Sequence, residues 1–255
     1  NPLADLRTLS TYRWPDPDDE RICSLIYRSV EGYNREEQFL CGSHRDTLWE
    51  KSYMLVGMEN MMCYFHTEPT AAREVLHRIM DFQLGIARHY LSLGVEMVAM
   101  GDDLGTQRAL LLSPRIINEF FVPEYRRLFD LYKQHGVLVA FHSCGHIEPI
   151  LDVFMDLGVD ILNPIQVSAN DLEGLRRKTQ GRMALQGGIG SALIMSGPPE
   201  AIRCEVRRRV WQLGREGGYF CGPDQGLPFP AEHEQALADA IDEFGRYPLQ
   251  FPPLE

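Results

Sequence analysis

Six short apolar runs, each followed by a longer amphipathic stretch, constrain this chain to one broad fold class. The runs are Gln38 to Gly42, Val95 to Met100, Val137 to Cys144, Val159 to Asn163, Met183 to Gly187 and Tyr219 to Cys221. Their lengths suit buried strands, and the stretches between them place apolar residues at helical spacing. Ile22, Leu25, Ile26 and Val30 mark a first helix, entered through the acidic, proline-rich 15–19 and stopped at Gly32. Residues 46–66 read as helical with a break near Gly57, and Pro69 to Leu93 as a long helix closed by Gly94. Further helices are expected from Ser113-Pro114, restarting at Pro123 and stopping at Gly136, and over about 147–157, 172–178, 199–213 and 232–244.

Strict alternation of strand and helix predicts a parallel sheet in a single α/β domain over residues 1–255. An open doubly wound sheet would carry a Gly-x-Gly-x-x-Gly turn, and Gly187-Gly188-Ile189-Gly190 does not supply one. The expectation is a (β/α)8 TIM barrel with one or two N-terminal strands outside this chain, hence an open gap or irregular edge. The first residue, Asn1, is not a methionine, which suits a fragment or processed form.

A net charge of −11 without a long basic run argues against nucleic acid or an anionic membrane as partner. Arg207, Arg208 and Arg209 would spread over different faces of a helix. Six cysteines in apolar surroundings fit reduced thiols in the cytoplasm better than a disulfide scaffold. No apolar stretch nears the ~18 residues of a membrane span.

The chemistry concentrates at strand ends. His142 and Cys144 close the Val137 run two residues apart, so in extended chain their side chains point the same way. Cys221 closes the last run. One imidazole and two thiolates form a Cys2His set that leaves a fourth position of tetrahedral Zn²⁺ open, the pattern of a catalytic metal. The plainer alternative for each residue alone is a satisfied histidine or a buried thiol. Asp102 and Asp103 end the Val95 run and could ligate the metal, orient His142 or act as a base; they could also cap a turn. Gln107, Asn163, Gln166 and Gln186 are neutral amides suited to orienting a polar substrate. His146, Cys41, His44 and Cys63 are expected to be structural. Trp49, Met54, Met58, Met61 and Phe65 read as a core stripe.

Taken together, Gly101-Asp-Asp-Leu-Gly-Thr-Gln107, Ser113-Pro114, Phe141-His-Ser-Cys-Gly145, Gly158-Val-Asp-Ile-Leu-Asn-Pro164, Gly187-Gly188 and Cys221-Gly-Pro resemble the uroporphyrinogen decarboxylase superfamily, in order, over most of the chain. The His-x-Cys pair with a later Cys, 77 positions beyond Cys144, is similar to its zinc-dependent methyltransferases, which move methyl groups between corrinoids and thiols such as coenzyme M. The resemblance implies zinc on His142, Cys144 and Cys221, and a methyl donor or acceptor over the barrel mouth. It also implies a corrinoid (methylcobalamin) co-substrate on a separate protein, since no Asp-x-His-x-x-Gly segment is present. The Arg-Gln-Ala-Gly-Arg motif by which the decarboxylases grip substrate carboxylates is absent. That departure ranks tetrapyrrole decarboxylation second, and a non-catalytic barrel that binds zinc or a corrinoid partner third.

Overall fold

Each apolar run becomes a strand in the computed structural model, which describes residues 1–251. The strands are β1 (Cys41–His44), β2 (Met97–Gly101), β3 (Leu138–His142), β4 (Ile161–Ile165), β5 (Ala184–Ile189) and β6 (Tyr219–Pro223). They form a parallel six-stranded sheet whose order follows the chain, so β1 and β6 each have a single strand neighbour among the described residues. Most of the ladders start one to three residues later than the apolar runs. The reason is visible where Val95 and Val137 donate their amides back to Tyr90 and Tyr132 across Gly94 (φ 69°) and Gly136 (φ 72°). Those valines close the preceding helices in left-handed glycine caps before they can join a strand.

The helices are α1 (Glu20–Arg28), α2 (Trp49–Val56), α3 (Met58–Thr67), α4 (Pro69–Ser92), α5 (Pro114–Ile116), α6 (Val122–Gln134), α7 (Leu151–Leu157), α8 (Leu172–Thr179), α9 (Ser191–Ser196), α10 (Pro199–Gly214) and α11 (Ala231–Phe244). Gly57, at φ 99°, separates α2 from α3 as the sequence suggested. Ser113 caps α5, its Oγ accepting from Ile116 N at 3.3 Å. The expected restart at Pro123 is instead a helical path without a stop: Ile117–Phe121 widen into a π turn that runs directly into α6. A proline lacks the amide that a regular turn would require, and the wide turn just before it accommodates that loss. α9 and a 3-10 turn at Leu6–Thr11 have no counterpart in the sequence reading, being too short to show a period.

The chain gathers into two compact units. The first comprises residues 1–104, 111–141 and 156–159. Its core is a continuous aromatic cluster, Trp49, Phe65, Phe120, Phe121, Tyr125, Phe129 and Phe141, with neighbouring ring centroids 4.8–6.3 Å apart. Met61 joins the buried set, whereas Met54 and Met58 face outward, so only part of the predicted stripe is core. The second unit comprises residues 105–110, 142–155 and 160–255. Ile189, Ile194, Ile202, Val206, Val210, Leu237 and Ala240 pack β5 and α9 to α11 together, each larger aliphatic contributing about 1.5–3 kcal/mol by leaving water. Arg176 of α8 ties this unit's last strand in place, its guanidinium donating to the carbonyls of Gly217 and Gly218 at 3.0 and 3.1 Å. No described helix is long and apolar enough to cross a membrane.

Candidate active site

His142 leaves the end of β3 with Nδ1 2.8 Å from Asn163 Oδ1. An amide oxygen only accepts, so Nδ1 carries the proton and Nε2 keeps its lone pair. That nitrogen lies 3.4 Å from Cys144 Sγ. A tetrahedral zinc with its usual bond lengths to nitrogen and sulfur separates two such ligand atoms by about 3.6 Å. The pair therefore fits one edge of a metal tetrahedron, and Asn163 stands where the outer partner of a metal-bound histidine belongs. The amide of Gln225 approaches the same sulfur from outside, Nε2 to Sγ 3.1 Å.

The loop bearing Cys144 is held by backbone contact. Gly145 has φ 84°, and a Cβ there would fall 2.5 Å from Gly105 C and Thr106 O. A Cβ on Gly105 would in turn meet Cys144 O at 2.8 Å. Only two glycines let these chain segments touch, and the contact is sealed by His146 N donating to Thr106 O at 2.7 Å. Gln166, buried, accepts from Gly145 N at 2.7 Å and from Gln107 Nε2 at 3.0 Å, while Gln107 Oε1 accepts from Ser168 Oγ at 2.7 Å. Asn170 brackets the turn, donating to Gly145 O at 2.9 Å and accepting from Ile147 N at 3.0 Å. Gln107 and Gln166 thus brace the cysteine loop through their side-chain amides. His146 turns to Ala169 O, Nδ1 to O 2.8 Å.

Cys221 and Gln186 are placed by strand alternation. Gln186 pairs with Phe220 and Gly187 with Cys221 across β5 and β6. Gln186 and Phe220 are exposed, the latter by 52%. Tyr219 and Cys221 point the other way, onto the core of α9 to α11. Tyr219 is mostly buried and donates its hydroxyl to Gly187 O at 2.7 Å; its ring belongs in the core, and Cys221, two residues on, follows it. Burial pushes the Cys221 thiol up to about 11. Its sulfur does not come within 4.8 Å of both the His142 and Cys144 ligand atoms, so the structure brings together two of the three sulfur and nitrogen ligands expected from the sequence.

In the first unit, Asp102 is fully buried and taken up in structure. Its carboxylate accepts from Leu48 N (2.8 Å), Glu50 N (2.9 Å) and the Tyr125 hydroxyl (2.5 Å), capping α2 from a distant strand. Burial raises it to about 7 against the pull of those donors. Asp103 is half-buried. It lies close to Glu50, whose carboxyl is raised first by burial and then by the charges of Asp103 and Asp46. Glu50 was not singled out from the sequence; its place in the first turn of α2 made it look like an ordinary helix-start acid. His44 is a satisfied core histidine, as expected, between Gln83 Oε1 (2.8 Å) and the Tyr132 hydroxyl (2.5 Å).

Parallel strands in chain order, with the site residues at or just beyond their carboxyl ends, define the TIM-barrel class of α/β enzymes. The chain belongs to the family described as Uroporphyrinogen decarboxylase (URO-D), whose pattern matches residues 1–244. It is similar to uroporphyrinogen decarboxylases of Burkholderia pseudomallei (strain 1106a), 27% identical over 69% of this chain and 49% of that protein, and of Neisseria meningitidis serogroup C, 25% identical over 68% and 49%. The chain thus spans about half the length of the curated relatives it matches. Among solved structures, a methyltransferase from Methanosarcina mazei superposes with a TM-score of 0.71 at 19% identity, over 89% of this chain and 65% of that one, a likeness of fold.

Proposed function

We propose that this chain acts as a zinc-dependent methyltransferase that moves a methyl group between a corrinoid and a thiol or another methylated small molecule. The observation that carries the reading is the His142 Nε2 to Cys144 Sγ separation of 3.4 Å with Asn163 behind the imidazole. Zinc, when bound, supplies a Lewis acid on which a substrate thiol is held as thiolate at neutral pH. Asn163 holds the histidine tautomer, and the Gly105–Gly145 contact holds the cysteine loop. Asp103, which follows the end of β2, is assigned as a base of the reaction. Cys221 is assigned as the third protein ligand. That role asks the end of β6 to rotate and to lift the Cys221 thiol off the core on which it packs. The corrinoid is assigned to a separate protein, and the setting to the cytoplasm.

Metal content tests the ligand set. The chain is expected to carry about one zinc ion, and Cys144→Ser or His142→Ala to lose most of it, because removal of a ligand costs far more than removal of an outer contact. Cys221→Ser is the discriminating variant: a sharp fall in zinc supports the rotation of β6, and full occupancy leaves Cys221 as a core thiol. Undiminished zinc in all three variants would place the metal elsewhere.

The reaction is tested with methylcobalamin and a panel of thiols, following the cobalt chromophore. Thiol-dependent demethylation, absent in His142→Ala, is the expected result. The names of the curated relatives favour a second reading, decarboxylation of a tetrapyrrole. Carbon dioxide release from uroporphyrinogen, with no thiol-dependent loss of methylcobalamin, would promote it over the first.

A further inference from the structure

Gln225 belongs to no motif in the sequence, yet its side chain reaches a residue 81 positions away. The loop that carries it is anchored from below. Asp224, only 6% exposed, donates its backbone amide to Ile189 O at 2.9 Å. Its Oδ1 accepts from Ser191 N at 2.8 Å and from Ser191 Oγ at 2.7 Å, and the same hydroxyl reaches Gln225 O at 3.2 Å. Ser191 opens α9 and is itself buried, so the path from β5 through Ser191 and Asp224 fixes the backbone from which the amide of Gln225 extends.

A cysteine side chain has three staggered positions about its Cα–Cβ bond. The one adopted by Cys144 puts sulfur toward both His142 Nε2 and Gln225 Nε2. A carboxamide N–H can donate to sulfur while offering no charge of its own, and such a bond gains strength when the acceptor is a thiolate. We propose that Gln225 is a positioning residue of the site, holding Cys144 Sγ in the rotamer that faces His142 and spreading the thiolate's charge when a divalent cation is bound. The inference rests on the metal reading above. It adds a residue outside the ligand set, supplied by the loop after β6.

Cobalt(II) titrated into the metal-free protein separates the two ideas, since a cobalt–thiolate site absorbs through a sulfur-to-metal band that reports on the sulfur itself. Gln225→Leu and Gln225→Ala both lose the donor without adding a charge. Each is expected to bind cobalt about tenfold more weakly, the lower end of the usual effect of an outer partner, and to shift the band to longer wavelength. Gln225 is exposed, so thermal unfolding of the metal-free variants should match the parent. Equal affinity and an unmoved band in both variants would overturn the role of Gln225 while leaving the metal site standing. Weaker binding with an unmoved band would also overturn it, by assigning the loss to packing. Failure of the parent to bind cobalt would overturn the metal reading, and the inference with it.

Discussion

Gly145→Ala is expected to destabilise the protein by about 4 kcal/mol, whereas Gly181→Ala costs about 1–2 kcal/mol. Both glycines are left-handed, at φ 84° and 70°, so an alanine pays the same backbone penalty at each. They differ in surroundings. A Cβ on Gly181 meets nothing within 4 Å, while one on Gly145 lands 2.5 Å from backbone atoms of Gly105 and Thr106. Backbone cannot turn aside as a side-chain tip does, so the 105–110 loop must lift and surrender the hydrogen bond from His146 N to Thr106 O. Urea unfolding of the two variants isolates this contact as the difference between them. Equal losses would mean that the loop yields freely and that the close approach does not hold the cysteine turn. Zinc content of Gly145→Ala should fall as well, through displacement of Cys144.

A second large effect concerns pH. Burial holds His44 down at about 4, against an ordinary 6.5. Between those values the unfolded chain binds the proton and the folded one does not, so stability rises with pH across the window and is lost on acidification. The shift amounts to about 3 kcal/mol between pH 7 and pH 4. Asp102 runs the other way. Burial raises it from 3.8 to about 7, so the folded form is the one that binds the proton, and acidification over nearly the same window adds stability, by roughly 4 kcal/mol at most. In the parent the two slopes oppose each other and largely cancel. Asp102→Asn should therefore lose stability more steeply than the parent on acidification from pH 7 to 5. His44→Gln should lose it less steeply, or gain it. Parallel stability curves for the parent and both variants would show that neither group titrates inside the fold.

The sheet was legible because it depends on local pattern: apolar runs of strand length between helical repeats admit few arrangements. His142 and Cys144 were legible for the same reason, lying two residues apart at a strand end. The face on which Cys221 lies was not. Spacing along the chain places a cysteine near a strand end, but its direction follows from the burial of Tyr219, a competition between two neighbouring side chains that chain spacing does not encode. Asp102 directly follows β2, where the sequence allowed a ligand, a base or a cap. Its partners, the amides of Leu48 and Glu50 and the hydroxyl of Tyr125, lie far away in sequence and turn a candidate catalyst into a cap. Gln107 and Gln166 likewise spend their amides on each other and on the cysteine loop. Gln225 and Glu50 carried no signal, since a lone glutamine in a loop and an acid in a first helical turn are common everywhere.

The cap provided by Asp102 also bears on the order in which the first unit assembles. Leu48, at the start of α2, has no side chain able to bind the helix's first amides, and the carboxylate that does so arrives from 54 residues downstream. Closing a loop of that size carries an entropic cost before any bond rewards it. The amino end of α2 is thus a tertiary product, completed only after β2 has docked. Its helical order depends on the sheet, although its sequence lies beside β1 and far ahead of β2.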